Sequence, residues 1–163
     1  MTRDAMRAVV ERHVEAENRR DLTGAMATYA DECFYDSAGL GVRFEGRDAV
    51  AAQYAALFHA MPDGELAIEG EAFGADTLVH WGTFNATVTG EFMGLPATGR
   101  RVALPAVAFF TFRDGLMAGE RLVFDLATLC DQAGVSLPAV QAAARGLAAA
   151  LGSRVDGESR ASC

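Results

Sequence analysis

A chain of 163 residues with 51% hydrophobic content is the size of one domain and carries enough apolar surface for a single core. Its net charge of -8 and pI near 4.8 argue against nucleic acid, because binding phosphates needs clustered positive charge. All 14 basic residues are arginine, which excludes side-chain Schiff-base chemistry on lysine.

The segment Met1-Thr2-Arg3-Asp4 lacks the apolar core of a secretory signal, and no apolar run approaches the roughly 20 residues of a spanning helix, so the expected location is the cytoplasm. Over Arg3–Arg19, the residues Met6, Val9, Val10, His13 and Val14 fall on one side at helical spacing, which predicts an amphipathic helix. Asp21 is the expected cap of a second short helix through Met26 to Tyr29. A short strand is expected over Cys33–Asp36, and a turn near Gly39 and Gly41 leads on to Gly46. Val50, Tyr54, Leu57, Phe58 and Met61 then mark a third helix, stopped by Pro62.

After Pro62 the period of the apolar residues changes from helical to alternating. Strands are predicted over Glu65–Phe73, Thr77–Val88, Arg101–Phe112 and Met117–Asp125, with a loop over Gly90–Gly99. Helices followed by a meander of strands predict an α+β fold whose bent antiparallel sheet buries one face on the helices. The uncovered face, carrying Val107 or Phe109, predicts a homodimer. An alanine-rich helix with Val140, Ala144, Leu147 and Leu151 as its stripe should follow Ser136 and Pro138, and Ser153–Cys163 reads as a disordered tail. The expected domain is thus 1–134, with a helical extension over 135–152.

Three features carry the family resemblance: Met61-Pro62-Asp63 closing the third helix, the loop Gly90 to Gly99, and Phe110-Thr111-Phe112-Arg113-Asp114-Gly115 leading to Asp125. Over about Arg7 to Gly134 the chain resembles the SnoaL-like polyketide cyclases, or ester cyclases, of the nuclear-transport-factor-2-like superfamily. The resemblance implies a cone, with the sheet wrapped around the third helix and a deep apolar pocket at one end, and it implies a dimer. It also implies an intramolecular aldol closure without metal or cofactor, using an aspartate on the last strand as acid/base, the place that Asp125 matches. The chain departs from the family at Ala86-Thr87-Val88, where Gly-Thr-His is usual, and at Arg121, where an aromatic is usual.

Alternation along the last strand puts Asp125 on one face with Val123, Arg121 and Met117, so an Arg121–Asp125 pair facing an oxyanion is one expectation. An N-cap for the next helix is the structural reading of Asp125. On the strand before the loop, either Trp81 or His80 faces the pocket, and Trp81 is favoured as the wall, with His80 kept as a candidate base. Tyr29, Tyr35, Tyr54 and Phe58 are expected to line the pocket. Asp36 is a second carboxylate that would separate the pKa values of an acid and a base. Cys33, Cys130 and Cys163 lack metal-ligand or disulfide spacing. The leading function is a cofactor-free cyclase or isomerase acting on an apolar, oxygenated small molecule, polyketide-like. Asp125, Arg121, Asp36 and His80 are its expected catalytic groups; Trp81, Tyr29, Tyr35, Tyr54, Phe58 and Met117 are its expected binding groups. An epoxide-hydrolase-like enzyme built on Asp125, Arg121 and Asp36, and a non-catalytic binding module, are the alternatives.

Overall fold

The computed structural model describes residues 1–150. Helix α1 spans Arg3–Asn18, capped by Thr2, whose hydroxyl accepts from the Ala5 amide at 3.2 Å; it buries Met6, Val9, Val10, His13 and Ala16. Asp21 caps the short helix α2, Leu22–Met26, by accepting from Gly24 N at 2.9 Å. Strand β1 runs over Tyr29–Ser37, longer at both ends than expected, because Tyr29 already faces the core. It turns back into β2, Val42–Glu45, a strand the sequence reading did not anticipate; four residues carry too little alternation to stand out. Helix α3, Arg47–Ala60, follows and ends at Met61-Pro62.

Strands β3 (Glu65–Phe73), β4 (Thr77–Thr87), β5 (Arg101–Arg113) and β6 (Leu116–Phe124) form the expected antiparallel meander. The curved, unclosed sheet has the order β2-β1-β6-β5-β4-β3. One pair differs from an all-antiparallel sheet: β1 lies parallel to β6, taking the free edge the meander leaves. Helix α4, Leu126–Ala133, is closed by Gly134 in the left-handed region, and α5, Leu137–Ala150, buries Val140, Ala144 and Ala148. Leu151 and the tail expected over Ser153–Cys163 lie outside the described residues. Cys33 and Cys130 are buried free thiols. No helix among the described residues is long and apolar enough to cross a membrane.

The face of β5 that meets the helices carries Val102, Leu104, Ala106, Ala108, Phe110 and Phe112, all buried. The other face leaves Trp81, Phe109 and Val123 exposed. In β6 the register slips between Thr111 and Phe112 of its partner strand, so Phe112 pairs with Met117 while Thr111 pairs with Gly119. That bulge reverses the parity of the strand's beginning: Met117 is fully buried, whereas Arg121 and Val123 point outward. The grouping of Met117 with Arg121, Val123 and Asp125 on one face is therefore corrected.

Candidate active site

The residue the sequence reading passed over is Glu120. With β6 placed by its register, Glu120 turns to the inner face and is 5% exposed. A carboxylate so placed needs partners. Tyr54 donates to its Oε2 at 2.5 Å from α3, and Tyr29 donates to the same atom at 3.2 Å from the start of β1. His13 of α1, fully buried, places Nε2 3.5 Å from that oxygen and 3.1 Å from the Tyr54 hydroxyl. Among the described residues, every hydrogen bond and ion pair of Glu120 falls on Oε2, which leaves Oε1 as an acceptor toward the cavity.

The protons of this cluster can be assigned by counting donors. Thr28 donates its hydroxyl proton to Ala25 O at 2.6 Å, so it accepts from His13 Nδ1 at 2.9 Å. Tyr54 gives its single proton to Glu120, so its oxygen accepts from His13 Nε2. With Tyr54 as the donor to Glu120, both ring nitrogens of His13 are placed to donate, the arrangement that suits a charged imidazolium. The electrostatics agree. Burial alone would depress the His13 pKa, but Glu17, with Oε1 3.6 Å away, and Glu120 outweigh it and raise the value to about 10. Tyr29 and Tyr54 are pushed well above the usual phenol value, first by burial and then by Glu120, so both stay protonated donors.

Glu120 lines a cavity with about 60 Å³ of space between α1, α3 and the sheet, together with Glu17, Tyr35, Phe58, Phe84 and Phe110. Arg20 lines its other side, ties Pro62 O, Gly64 O and Glu17 O together through its guanidinium, and lies over the Phe58 ring at 5.5 Å. A second cavity of about 60 Å³ adjoins it and shares Tyr35, Leu57, Met61, Phe84 and Leu122 as walls. It is closed by Leu95 of the Gly90–Gly99 loop, Leu129 of α4 and Val140 of α5.

Of the residues expected at the site, Tyr29, Tyr35, Tyr54 and Phe58 come together here. The others do not. Asp125 is exposed and caps α4, accepting from Ala127 N at 2.9 Å and Thr128 Oγ1 at 2.6 Å. Those bonds, the one from Thr128 first, hold its pKa below the ordinary carboxylate value. Arg121 does not meet Asp125; its Nε lies 3.5 Å from Asp36 Oδ2 on the outer face of the sheet, so no Asp-Arg-Asp cluster enters the cavity. Trp81 is 41% exposed and covers Gly70 on the outer face, while its neighbours Leu78, His80, Ala86 and Val88 turn inward. This reverses the favoured face of β4. The reason is its pairing with β5, which sets His80 against Ala108 and Phe84 against Leu104 on the core side. His80 is buried beside Phe110, with Nε2 3.7 Å from Glu71, and lines neither chamber; burial lowers its pKa, opposed by Glu71. Met117 is plain core.

His13, Glu17 and Glu120 hold ligand-type atoms within 4.8 Å of one another, a spacing a metal ion can use. A cation there would have to displace the Nε2 proton that the Tyr54 oxygen accepts, so the cluster as built fits a proton better than a metal.

A family model of the SnoaL-like polyketide cyclases matches residues 7–133, most of the chain. The protein belongs to that family. TsrD from Streptomyces laurentii is similar at 23% identity and a TM-score of 0.72, the match covering 83% of this chain and 99% of that one. A candidate SnoaL-like polyketide cyclase from Jannaschia is 21% identical with a TM-score of 0.73, covering 82% and 94%. An NTF2-like protein of unknown function from Burkholderia pseudomallei is 24% identical with a TM-score of 0.67, covering 80% and 98%. At these identities the likeness is one of fold. Among curated proteins no match was found.

Proposed function

We propose that this SnoaL-like protein is a cofactor-free acid/base enzyme of cyclase or isomerase type, acting on an apolar, oxygenated small molecule in natural-product biosynthesis in the cytoplasm. The observation that carries the reading is Glu120: a carboxylate buried at a cavity wall, with one oxygen fixed by Tyr29, Tyr54 and His13 and the other left as an acceptor toward the cavity. In this mechanism the C–H bond beside a substrate carbonyl breaks, its proton passes to Glu120 Oε1, and the electron pair remains on the substrate as an enolate. Tyr35 lines both chambers and carries a hydroxyl kept un-ionised by burial and by Glu120, a donor suited to the enolate oxygen. The enolate then attacks an internal carbonyl or is reprotonated at another carbon; closure and double-bond migration share this step. The exposed apolar residues Trp81, Phe109 and Val123 support a homodimer through the outer sheet face.

Proton exchange tests the reading without the natural substrate. In heavy water, α-methyl β-keto esters should exchange the hydrogen between their carbonyls faster with the wild-type protein than with Glu120→Gln, by roughly 100-fold or more. Equal exchange by the two proteins would end the assignment of Glu120.

A further inference from the structure

The two chambers differ in chemistry. The one beside Glu120 is walled partly by Glu17, Asn18, Arg20 and Glu65. The one beyond Met61 and Phe84 is walled by aliphatic and phenyl side chains; apart from Tyr35 on the shared wall, Ser37 is its one polar side chain. The strand backbones around it are spent on the sheet ladder, with Phe84 paired to Leu104 and Ala86 to Val102. A phenol or carbonyl placed there would lose its water and find only the Ser37 and Tyr35 hydroxyls as partners, so each further polar group would weaken binding. Its space of about 60 Å³ is less than half the roughly 150 Å³ of an engineered apolar cavity that holds one benzene. That is room for a short hydrocarbon segment and not for an oxygenated ring system.

We infer that the substrate is a small keto compound with a short, unoxygenated alkyl end, the alkyl end seated in the distal chamber and the enolisable carbonyl beside Glu120. The inference rests on the assignment of Glu120 as proton acceptor. It narrows the substrate class by polarity and size: a polyphenolic polycycle suits neither the lining nor the volume. The partition is made of Met61, Leu57 and Leu122, flexible side chains, with Phe84 and Tyr35, so one ligand can span both chambers once those side chains turn.

Three α-methyl β-keto esters that differ only in the acyl end decide it: acetyl, butanoyl and dihydroxybenzoyl. Each buried methylene is worth about fourfold in affinity. The butanoyl ester should therefore bind wild-type protein about tenfold more tightly than the acetyl ester by titration calorimetry, and the dihydroxybenzoyl ester no more tightly than the acetyl one. Ala106→Leu, which fills the distal chamber, should cut the butanoyl advantage to less than about twofold. A dihydroxybenzoyl ester that binds as well as the butanoyl one overturns the inference, as does a butanoyl advantage that survives Ala106→Leu. Should Ala106→Leu not fold, the wild-type ranking still decides. Glu120→Gln keeps the two questions apart: it should abolish exchange yet preserve the ranking of affinities. Exchange that survives with the ranking intact removes the base and leaves the alkyl site standing; a lost ranking with exchange intact does the opposite.

Discussion

Glu120 lies within β6 and Asp125 just past its end, and they show what a carboxylate becomes when it faces the core and when it faces water. Asp125 faces water, spends both oxygens on the amide and hydroxyl of its own helix, and is held ionised by local bonds. Glu120 faces the core, draws its partners from α1, β1 and α3, and keeps one oxygen for the cavity. The first is a local device that any helix start can assemble. The second exists only when three distant segments pack together, so its removal should disturb the whole molecule.

The largest effect is therefore expected from breaking the buried pair. His13→Leu leaves Glu120 without its cation and should cost about 3–5 kcal/mol in urea unfolding. His13→Leu combined with Glu120→Leu should cost less than the two single changes together, because neither charge is then stranded. Strict additivity would show that the pair is not coupled. Next in size is the loss of proton exchange in Glu120→Gln, about 100-fold or more.

The charge on His13 also has a pH signature. Its pKa is raised in the folded state to about 10 from the ordinary histidine value of 6.5. The folded protein thus holds a proton that the unfolded chain releases between those values, and this stabilisation is complete below pH 6.5 and lost as pH rises to 10. Within that window stability should fall by about 1.4 kcal/mol per pH unit. The same titration of His13→Leu should be flatter, and an equally steep fall would place the linkage elsewhere.

The outer face gives a smaller effect. Trp81→Glu or Phe109→Glu adds a charge to the exposed apolar patch and should weaken the proposed dimer by roughly tenfold or more, read by light scattering over a dilution series, with the fold unchanged. A wild-type protein that stays monomeric at micromolar concentration would remove the proposal.

The contrast between the two carboxylates also explains what the sequence made legible. Elements with an internal period were read nearly to their ends: the stripe of α1, the stop of α3 at Pro62 and the strands of the meander. Of the aromatics expected to line the pocket, Tyr35 and Phe58 do so, while Tyr29 and Tyr54 lie buried behind the cavity wall against Glu120. The site failed where face assignment depended on non-local register. One bulge opposite Thr111 and Phe112 reversed Met117 relative to Arg121, and the pairing of β4 with β5 turned Trp81 outward and His80 inward. Glu120 falls between Gly119 and Arg121 and shows no local sign of burial. Its available clue was parity, since it alternates with Leu122 and Phe124, the apolar residues of the same strand. His13 was read only as part of an apolar stripe, yet a histidine on such a stripe asks for a buried partner, and an acidic residue on an inward strand face supplies one.

The smallest effect is expected at Asp125, and it tests the comparison most directly. Asparagine caps a helix about as well as aspartate, because both offer a side-chain oxygen to the second or third amide of the first turn. Asp125→Asn should therefore leave proton exchange within about twofold of wild type, well short of the roughly 100-fold loss expected for Glu120→Gln. Asp125→Ala removes the acceptors of Ala127 N and Thr128 Oγ1 and should lower Tm where Asn does not, again with exchange retained in the folded fraction. Because the folded-state pKa of Asp125 is depressed, its contribution to stability is present above the unfolded value and lost as pH falls through the folded one. Melts at acid pH should thus separate wild type from Asn, whose cap does not titrate, while melts at neutral pH should not. An Asp125→Asn protein that folds normally but loses exchange as completely as Glu120→Gln would return the catalytic role to the outer carboxylate.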